Sequence, residues 1–512
     1  IPAGILDPLA STTEIILLCL VVFLIPTTLI GIGFPLASEL TIHHLPALGR
    51  RLGKLYAFNT LGGTLGSLTA GFFLLPYLGT QASLNVVIAL NLVLFAVTVA
   101  SQPSLRRDRR LWRLGAEGIV VFGVAMWLLG PRYLADAQTR FHGGQVLAFE
   151  ETRDATFVVM GYQSDEAGNY QQLLVNGRSY ANNAPPGRRY MAVLGHLPAL
   201  LHPEPQSVLI ACVGTGTTVG ALTVHRELRA IKAVDLSQAV FEFAPLFEPL
   251  NHRFDLQPQV ESIVADARHY LLTTEHEFDI VTFEPPPPQD AGVVNLYSRE
   301  FYQLAKRRLE PGGMVAQWVP LDLSRQALPR MMIRTMMAEF PHVSLWIPNR
   351  MEGVLIGSME PLRIDLASWR RRMSAPALGT DLEAIGFRSP EDLAATFVAA
   401  DRALADLVGD GPIVTDDHPR IEYFNFYPTD PMSYDEIVRH REPVEKYLVT
   451  PPGDPGALRA ATEVVTLIWK EHEKSAADRR DEARPLIQRA LAYDPGNSYL
   501  LYVRAIQGQT KD

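Results

Sequence analysis

The residues whose types and spacing can do chemistry lie between Gly214 and Glu284. In SVLIACVGTGTTVGALTVHREL (207–228) a continuous apolar run, Val208 to Val213, meets Gly214-Thr215-Gly216 and then an apolar helical pattern. Glycines at a strand-to-helix turn let a ligand approach the backbone, and the helix start offers free N–H groups to an anion. About 20 residues on, AIKAVDLSQAV sets Asp235 at the end of a second strand, where one carboxylate can accept both hydroxyls of a ribose. SIVADARHYL places Asp266 at the edge of a third strand, and FDIVTFEPPPP ends a fourth in Glu284. Strand ends of this kind line one rim of a parallel sheet, where such sheets bind ligands. Each feature also has a plainer reading. The glycines can serve the turn alone, and Asp235 and Asp266 can cap the helices that come after them.

The elements that position these residues come in a chain of 512, with 46 Lys and Arg against 55 Asp and Glu. The net charge of −9 argues against a nucleic-acid partner, and the first 140 residues are net positive while the remainder is acidic. Two distant cysteines, Cys19 and Cys212, exclude a disulfide framework and a CxxC-type metal site, and no bound metal is expected. His43-His44 lacks metal-ligand spacing and reads as interfacial. No Ser/His/Asp arrangement for nucleophilic catalysis is identifiable.

A mean hydropathy of +0.07 is high for this size, and the excess is concentrated at the start. Ile15 to Phe34, Tyr56 to Leu78 and Ala82 to Ala100 are uncharged and long enough to span a bilayer core. The second carries small residues at Gly62, Gly66 and at Gly63, Ser67, Gly71, a spacing that lets helices approach closely in lipid. Residues 1–135 are therefore expected to be a transmembrane helical domain of three or four spans. Arg50, Arg51 and Lys54 precede the second run, and Arg106, Arg107, Arg109, Arg110 and Arg113 come after the third, so both loops should face the cytoplasm. If the shorter apolar run Ile119 to Gly130 crosses, everything after it lies outside the cytoplasm; if it lies in the interface, the rest is cytoplasmic. The chain starts at Ile1 without an initiator methionine, and its membrane part reads as the tail of a larger one.

Beyond the membrane part, TFVVMGY (156–162) and YQQLLVNG (170–177) flank a polar turn and predict a β-hairpin. The order of GTG, strand-end Asp, DAR, strand-end acid, LYSREFYQLAKRRLEPGGMVAQW and TDDHPRIEY resembles the spermidine synthase (polyamine aminopropyltransferase) family. RLGKLYAFNTLGGTLGSLTAGFFLLPYLG (51–79) is similar to the membrane part of that family's bacterial membrane-fused branch. The resemblance covers residues 50–80 and about 150–425. It implies an α/β fold: a small β-domain at 140–186, then a Rossmann-like S-adenosylmethionine-binding-type domain at 187–430. A helical, TPR-like tail at 450–512 lies beyond it.

By the same resemblance the co-substrate is decarboxylated S-adenosylmethionine or S-adenosylmethionine, with nothing bound covalently. Gly214 and Gly216 match the turn beside its methionine-derived part, Asp235 the ribose-binding acid, and Asp266 the acid that meets the adenine amino group. Glu284 matches the aspartate that takes a proton from the attacking amine. Tyr190 and His196 match substrate-side positions. The chain also departs from the family. Its acid–small–small–acid–Pro loop reads Glu284-Pro285-Pro286-Pro287-Pro288 here, so the second acid is Pro287, and the Tyr-His-Glu run keeps only Tyr190, followed by Met191 and Ala192.

The resemblance implies a membrane-anchored transferase of an aminopropyl-type group to a small cationic amine, at a bacterial inner membrane. The other reading is a non-catalytic subunit, a scaffold among membrane-complex partners. Topology separates the two, because a donor made in the cytoplasm would not reach an extracytoplasmic enzyme.

Overall fold

The computed structural model describes residues 12–41, 48–101, 107–129, 133–164, 168–288, 290, 292–321, 325–350, 352–430, 432–476 and 479–508. His43-His44 lies outside the described residues. The chain divides into two compact units, Ile1–Val158 and Val159–Asp512.

The first unit contains helices α1 (Thr12–Thr41), α2 (Leu48–Thr69), α3 (Leu75–Ser101), α4 (Arg109–Leu129) and α5 (Tyr133–His142), then strand β1 (Gln145–Glu151). A single π turn, Ala70–Leu74, joins α2 to α3. Among the described residues one helical run, Gly49–Ser101, is long and apolar enough to cross a membrane. The second and third apolar runs of the sequence both fall in it. It is interrupted at Gly79, whose φ of 72° and ψ of 174° are not helical. There the Thr80 amide, without an acceptor in the preceding turn, donates to Glu151 Oε2 at 3.0 Å. Large apolar side chains such as Phe58, Phe72 and Leu90 remain exposed along these helices.

The second unit opens on strands β2 (Thr156–Ser164), β3 (Gly168–Val175) and β4 (Arg178–Asn182), neighbours in that order. The predicted hairpin is thus two strands of a meander. Its third strand, β4, carries no apolar alternation that would reveal it. Helix α6 (Pro185–Leu201) comes next, with Pro185 and Pro186 in its first turn, where a missing N–H costs nothing. It is buried from Arg189 to Leu200 because it lies against an eight-stranded sheet.

That sheet comprises β5 (Ser207–Ala211), β6 (Ala230–Asp235), β7 (Val260–Val264), β8 (Phe278–Phe283), β9 (Leu309–Pro320), β10 (His342–Trp346), β11 (Glu352–Ser358) and β12 (Phe397–Ala400). Its order is β12-β10-β11-β9-β8-β5-β6-β7. The five strands from β7 to β9 are parallel, as the continuous apolar runs of β5 and β8 require of strands covered on both faces. β11, β10 and β12 extend the sheet antiparallel, an extension the sequence pattern did not announce. The order reverses beside β5, which pairs with β6 on one side and β8 on the other. This is the crevice in which open α/β sheets hold ligands. The result is the expected α/β, Rossmann-like architecture.

Three helices close the chain, Pro455–Ala476, Arg480–Tyr493 and Ser498–Gly508, and their apolar faces join the core of the second unit. The fully buried Arg189 guanidinium lies 3.9 Å from the Phe387 ring centroid and 4.6 Å from that of Tyr499, and its Nε donates to Pro348 O at 2.6 Å. The tail is therefore part of the packing that holds α6. Removing the Tyr499 ring leaves a cavity over a buried cation. Tyr499→Ala is expected to destabilise the second unit by about 3 kcal/mol, read as a shifted urea midpoint. An unchanged midpoint would mean that the tail packs independently of α6.

Candidate active site

The site is built on the C-terminal ends of β5, β6, β7 and β8. After β5 the chain turns through Cys212, Gly214 and Gly216, whose φ values are 65°, 55° and 77°. Gly216 caps helix α7 (Thr217–Thr223), and a Cβ there would sit 2.2 Å from the Phe254 ring. Phe254 and the left-handed backbone together exclude any side chain at this position. Cys212 holds the same left-handed region with a Cβ, an uncommon conformation outside glycine.

Asp235, the last residue of β6, accepts from the Val213 amide at 2.9 Å and the Ser237 amide at 3.1 Å. It thereby ties the β6 end to the glycine turn. Burial raises its pKa, opposed by bonds from the amides of Ser237, Val213, Gly214 and Leu236. Ser237, rather than Asp235, caps helix α8 (Gln238–Phe243). Asp266 is exposed at the end of β7 and caps helix α9 (Ala267–Thr273), accepting from the His269 amide at 2.7 Å. The cap reading of Asp266 is thus satisfied by one of its oxygens, at the rim beside Asp235. Two residues on, Arg268 Nη1 donates to Asp416 at 2.8 Å, which joins the DAR and TDDHP segments.

Glu284 comes directly after β8 and is flanked by Tyr190 of α6, whose phenol donates to Glu284 Oε1. Burial pushes the Glu284 carboxyl up to about 8, against the lowering effect of the Tyr190 hydrogen bond. Trp318 stacks over Tyr190 with ring centroids 6.0 Å apart. The proline loop after Glu284 has carbonyls but no N–H groups at 285–288. Tyr297 Oη reaches the carbonyls of Pro285 and Pro286 at 3.3 and 3.1 Å, which fixes the loop from below.

The structure thus brings Gly214, Gly216, Asp235, Glu284 and Tyr190 to one crevice, with Asp266 on its rim. Cys212 lies among them. Burial first, then the charges of Asp235, Glu284 and Asp266, push its thiol well up. His196 belongs elsewhere. It is fully buried two helical turns past Tyr190, with Nδ1 2.9 Å from His225 and Nε2 2.9 Å from Asp381. Asp381 also meets His252 at 2.9 Å, so His196 joins a structural network between helices rather than the crevice.

Three residues of the crevice escape a reading of motifs. Tyr180 of β4 hydrogen-bonds Asp290 and feels the charges of Cys212 and Asp235, while Arg178 pairs with Asp290 at 2.6 Å. The β3–β4 turn is thereby fastened to the loop after the prolines. Its signal in the sequence is faint, since 112 residues separate Arg178 from Asp290.

Residues 187–345 match the model of the spermine/spermidine synthase domain. The chain is 30% identical over 308 residues to polyamine aminopropyltransferase 1 of Streptomyces coelicolor, covering 58% of this chain and 56% of that protein. It is 32% identical over 151 residues to polyamine aminopropyltransferase 2 of Pseudomonas aeruginosa, covering 29% and 43%. A probable spermidine synthase structure from Corynebacterium glutamicum aligns with a TM-score of 0.36 at 17% identity, covering 53% of this chain and 96% of that one. The chain spans about half the length of the curated relatives it matches.

The raised Glu284 pKa has a consequence for stability. Between its ordinary value of 4.5 and about 8 the folded carboxyl holds a proton that the unfolded one has lost. The stability it contributes is complete below the ordinary value and is lost as pH rises through about 8. Glu284→Gln keeps the shape and removes the titration. The variant should gain on the parent chain from pH 5 to pH 9, by up to about 4 kcal/mol in urea unfolding. Parallel pH profiles for the two chains would contradict the burial of this carboxyl.

Proposed function

We propose that this chain, which carries a domain of the spermine/spermidine synthase family, transfers an aminopropyl-type group from a decarboxylated S-adenosylmethionine-like donor to a small amine. The observation that carries this reading is the half-buried Tyr190–Glu284 pair at the end of β8, beside the glycine turn and Asp235. The donor's adenosine would lie along the C-terminal ends of β5 and β6, with the ribose hydroxyls on Asp235 and the adenine at the Asp266 rim. Its sulfonium would then face the crevice between the glycine turn and Glu284.

Aminopropyl transfer is a displacement. The amine nitrogen forms a bond to the carbon beside the sulfonium, the carbon–sulfur bond breaks, and its electron pair leaves on sulfur as neutral methylthioadenosine. The amine arrives protonated and must lose one proton before its lone pair can attack. Glu284 is the group that takes it, a general-base role suited to a carboxyl whose pKa is near the working pH. Tyr190 orients the carboxylate and stabilises its ionised form by donating to Oε1. Trp318 and Tyr190 supply an aromatic wall that favours a cationic acceptor. With Pro287 in place of a second loop acid, the acceptor's far end is held differently from a polyamine in the family's loop.

In this reading residues 187–430 are the catalytic domain, and residues 1–135 anchor it in a bacterial inner membrane. The long apolar helical run and the exposed apolar side chains of the first unit support the anchor.

Titration calorimetry of the full chain in detergent, with S-adenosylmethionine, its decarboxylated form and methylthioadenosine, tests the reading. Binding of at least one is expected. Asp235→Ala should weaken it tenfold or more, on the order of the 1.5–3 kcal/mol of a charge-assisted hydrogen bond. Glu284→Gln should abolish turnover and leave nucleoside affinity within about twofold, because a general base acts on the amine and not on the donor. No binding of any of the three would remove the proposal, and loss of affinity in Glu284→Gln would reassign that residue.

A further inference from the structure

The geometry of the first unit points to the face of the membrane on which the second unit stands. We infer that everything after Leu129 lies on the face opposite the arginine-rich loops, and so outside the cytoplasm. The inference rests on the membrane reading above, and it bears on the transferase reading, because a transferase on that face needs its donor carried across the membrane.

The first step is that α2 and α3 form a hairpin. Phe34 of α1 lies 4.6 Å from Tyr56 of α2, ring centroid to centroid. One turn before Phe34 on α1, Ile30 lines a cavity with Ile88, Asn91, Leu92 and Phe95 of α3. In a straight helix Tyr56 and Ile88 would stand about 48 Å apart at 1.5 Å per residue. Tyr56 packs on this stretch of α1 and Ile88 faces it across the cavity, so the run folds back on itself, and the break at Gly79 is where it does so. The hairpin's turn is thus at Gly79 and Thr80, and its open end holds Arg50, Arg51 and Lys54 on one arm and Ser101 on the other. From Thr80 to Ser101 the arm measures about 33 Å, the thickness of a bilayer core.

The second step fixes α4. A Cβ on Gly115 would lie 2.7 Å from the Phe95 ring, and one on Gly118 would lie 3.5 Å from Leu92. As the residue number rises by three on α4 it falls by three on α3, so the two helices are antiparallel. Extending that register sets Leu129 level with Gln81, at the turn end. Arg109, Arg110 and Arg113 fall level with the opposite end.

The third step is independent of the register. Glu151, at the end of β1, accepts the Thr80 amide at 3.0 Å, and its Oε2 would lie 2.6 Å from a Cβ on Gly79. Leu78, Gln81, Ala82 and Asn85 line a cleft with residues of α5 and β1. The chain has therefore reached the turn end of the hairpin by Glu151. By length and composition Gly49–Ser101 is the one candidate span among the described residues; α4 is assigned its crossing by its register on α3, and no helix described after Leu129 has either support.

Charge then assigns the sides. The segments at the open end, 42–54 and 102–113, carry eight Lys and Arg, whereas 79–81 carries none and 130–144 carries Arg132 and Arg140. Short loops rich in Lys and Arg stay in the cytoplasm. The turn end, β1 and the chain that continues from Val158 are then outside it. The alternative placement, with Ile119–Gly130 lying flat in the interface, does not agree with the antiparallel register at Gly115 and Gly118, which carries α4 toward the turn end.

Impermeant maleimide labelling tests this on the full chain in a Gram-negative host with a permeabilised outer membrane and an intact inner membrane. Each variant is read as label added over the parent chain, which carries Cys19 and Cys212. Asp154→Cys, in the turn after β1, should label at least tenfold more than Asp108→Cys before lysis, and the two should label equally after it. The reverse order would overturn the orientation and leave the membrane reading standing. Equal labelling of both positions before lysis would overturn the orientation too. Release of the chain from membranes by alkaline carbonate would remove the membrane reading and the orientation with it.

Discussion

A carboxyl group half-buried and desolvated at the end of a central strand is the constraint on which the second unit depends. Glu284 ends β8, beside the point where the strand order reverses, and it is desolvated by α6 lying across the sheet. A buried carboxyl needs a hydrogen-bond partner, and Tyr190 is that partner. Tyr190 can be held there because its neighbour Arg189 is locked on the opposite side by Phe387, Tyr499 and the Pro348 carbonyl. The C-terminal helices therefore belong to the support of the site, although they lie about 200 residues from Glu284 in sequence.

The crevice is assembled largely from backbone geometry. Asp235 draws the amides of Val213 and Ser237 toward itself, which closes the glycine turn against the end of β6. Cys212 accepts a left-handed conformation to make that turn. On the other flank the proline loop has no amides to offer, so Tyr297 satisfies its carbonyls from beneath, and the Arg178–Asp290 pair fastens the segment beyond the prolines. The site is thus rigid on the side where the loop acid has been replaced.

Local patterns decided which parts of the site were legible in the sequence. Gly214, Gly216, Asp235, Asp266 and Glu284 each sit where an apolar strand stops, and strand ends in a parallel sheet converge on one edge whatever the loops do. Tyr190 was legible through its motif, and His196 was not, because a motif gives no indication of which face of α6 a residue occupies. Six residues along a helix turn the side chain through most of two revolutions, away from the crevice and into the network with His225 and Asp381. Contacts made across long separations left no mark either. Tyr180 with Asp290, Arg268 with Asp416, and Arg189 with Tyr499 depend on tertiary packing that no window of residues contains. The antiparallel strands β10 to β12 escaped because continuous apolar runs fit buried helices as well as strands.

The central claim is that Glu284 takes the proton of the attacking amine. It is tested most directly by the pH dependence of a single turnover at saturating donor and amine. The account predicts a rate that rises about tenfold per pH unit below a midpoint near 8, and no rate above background in Glu284→Gln. A rate that is flat from pH 6 to 9, or the same limb in Glu284→Gln, would contradict it.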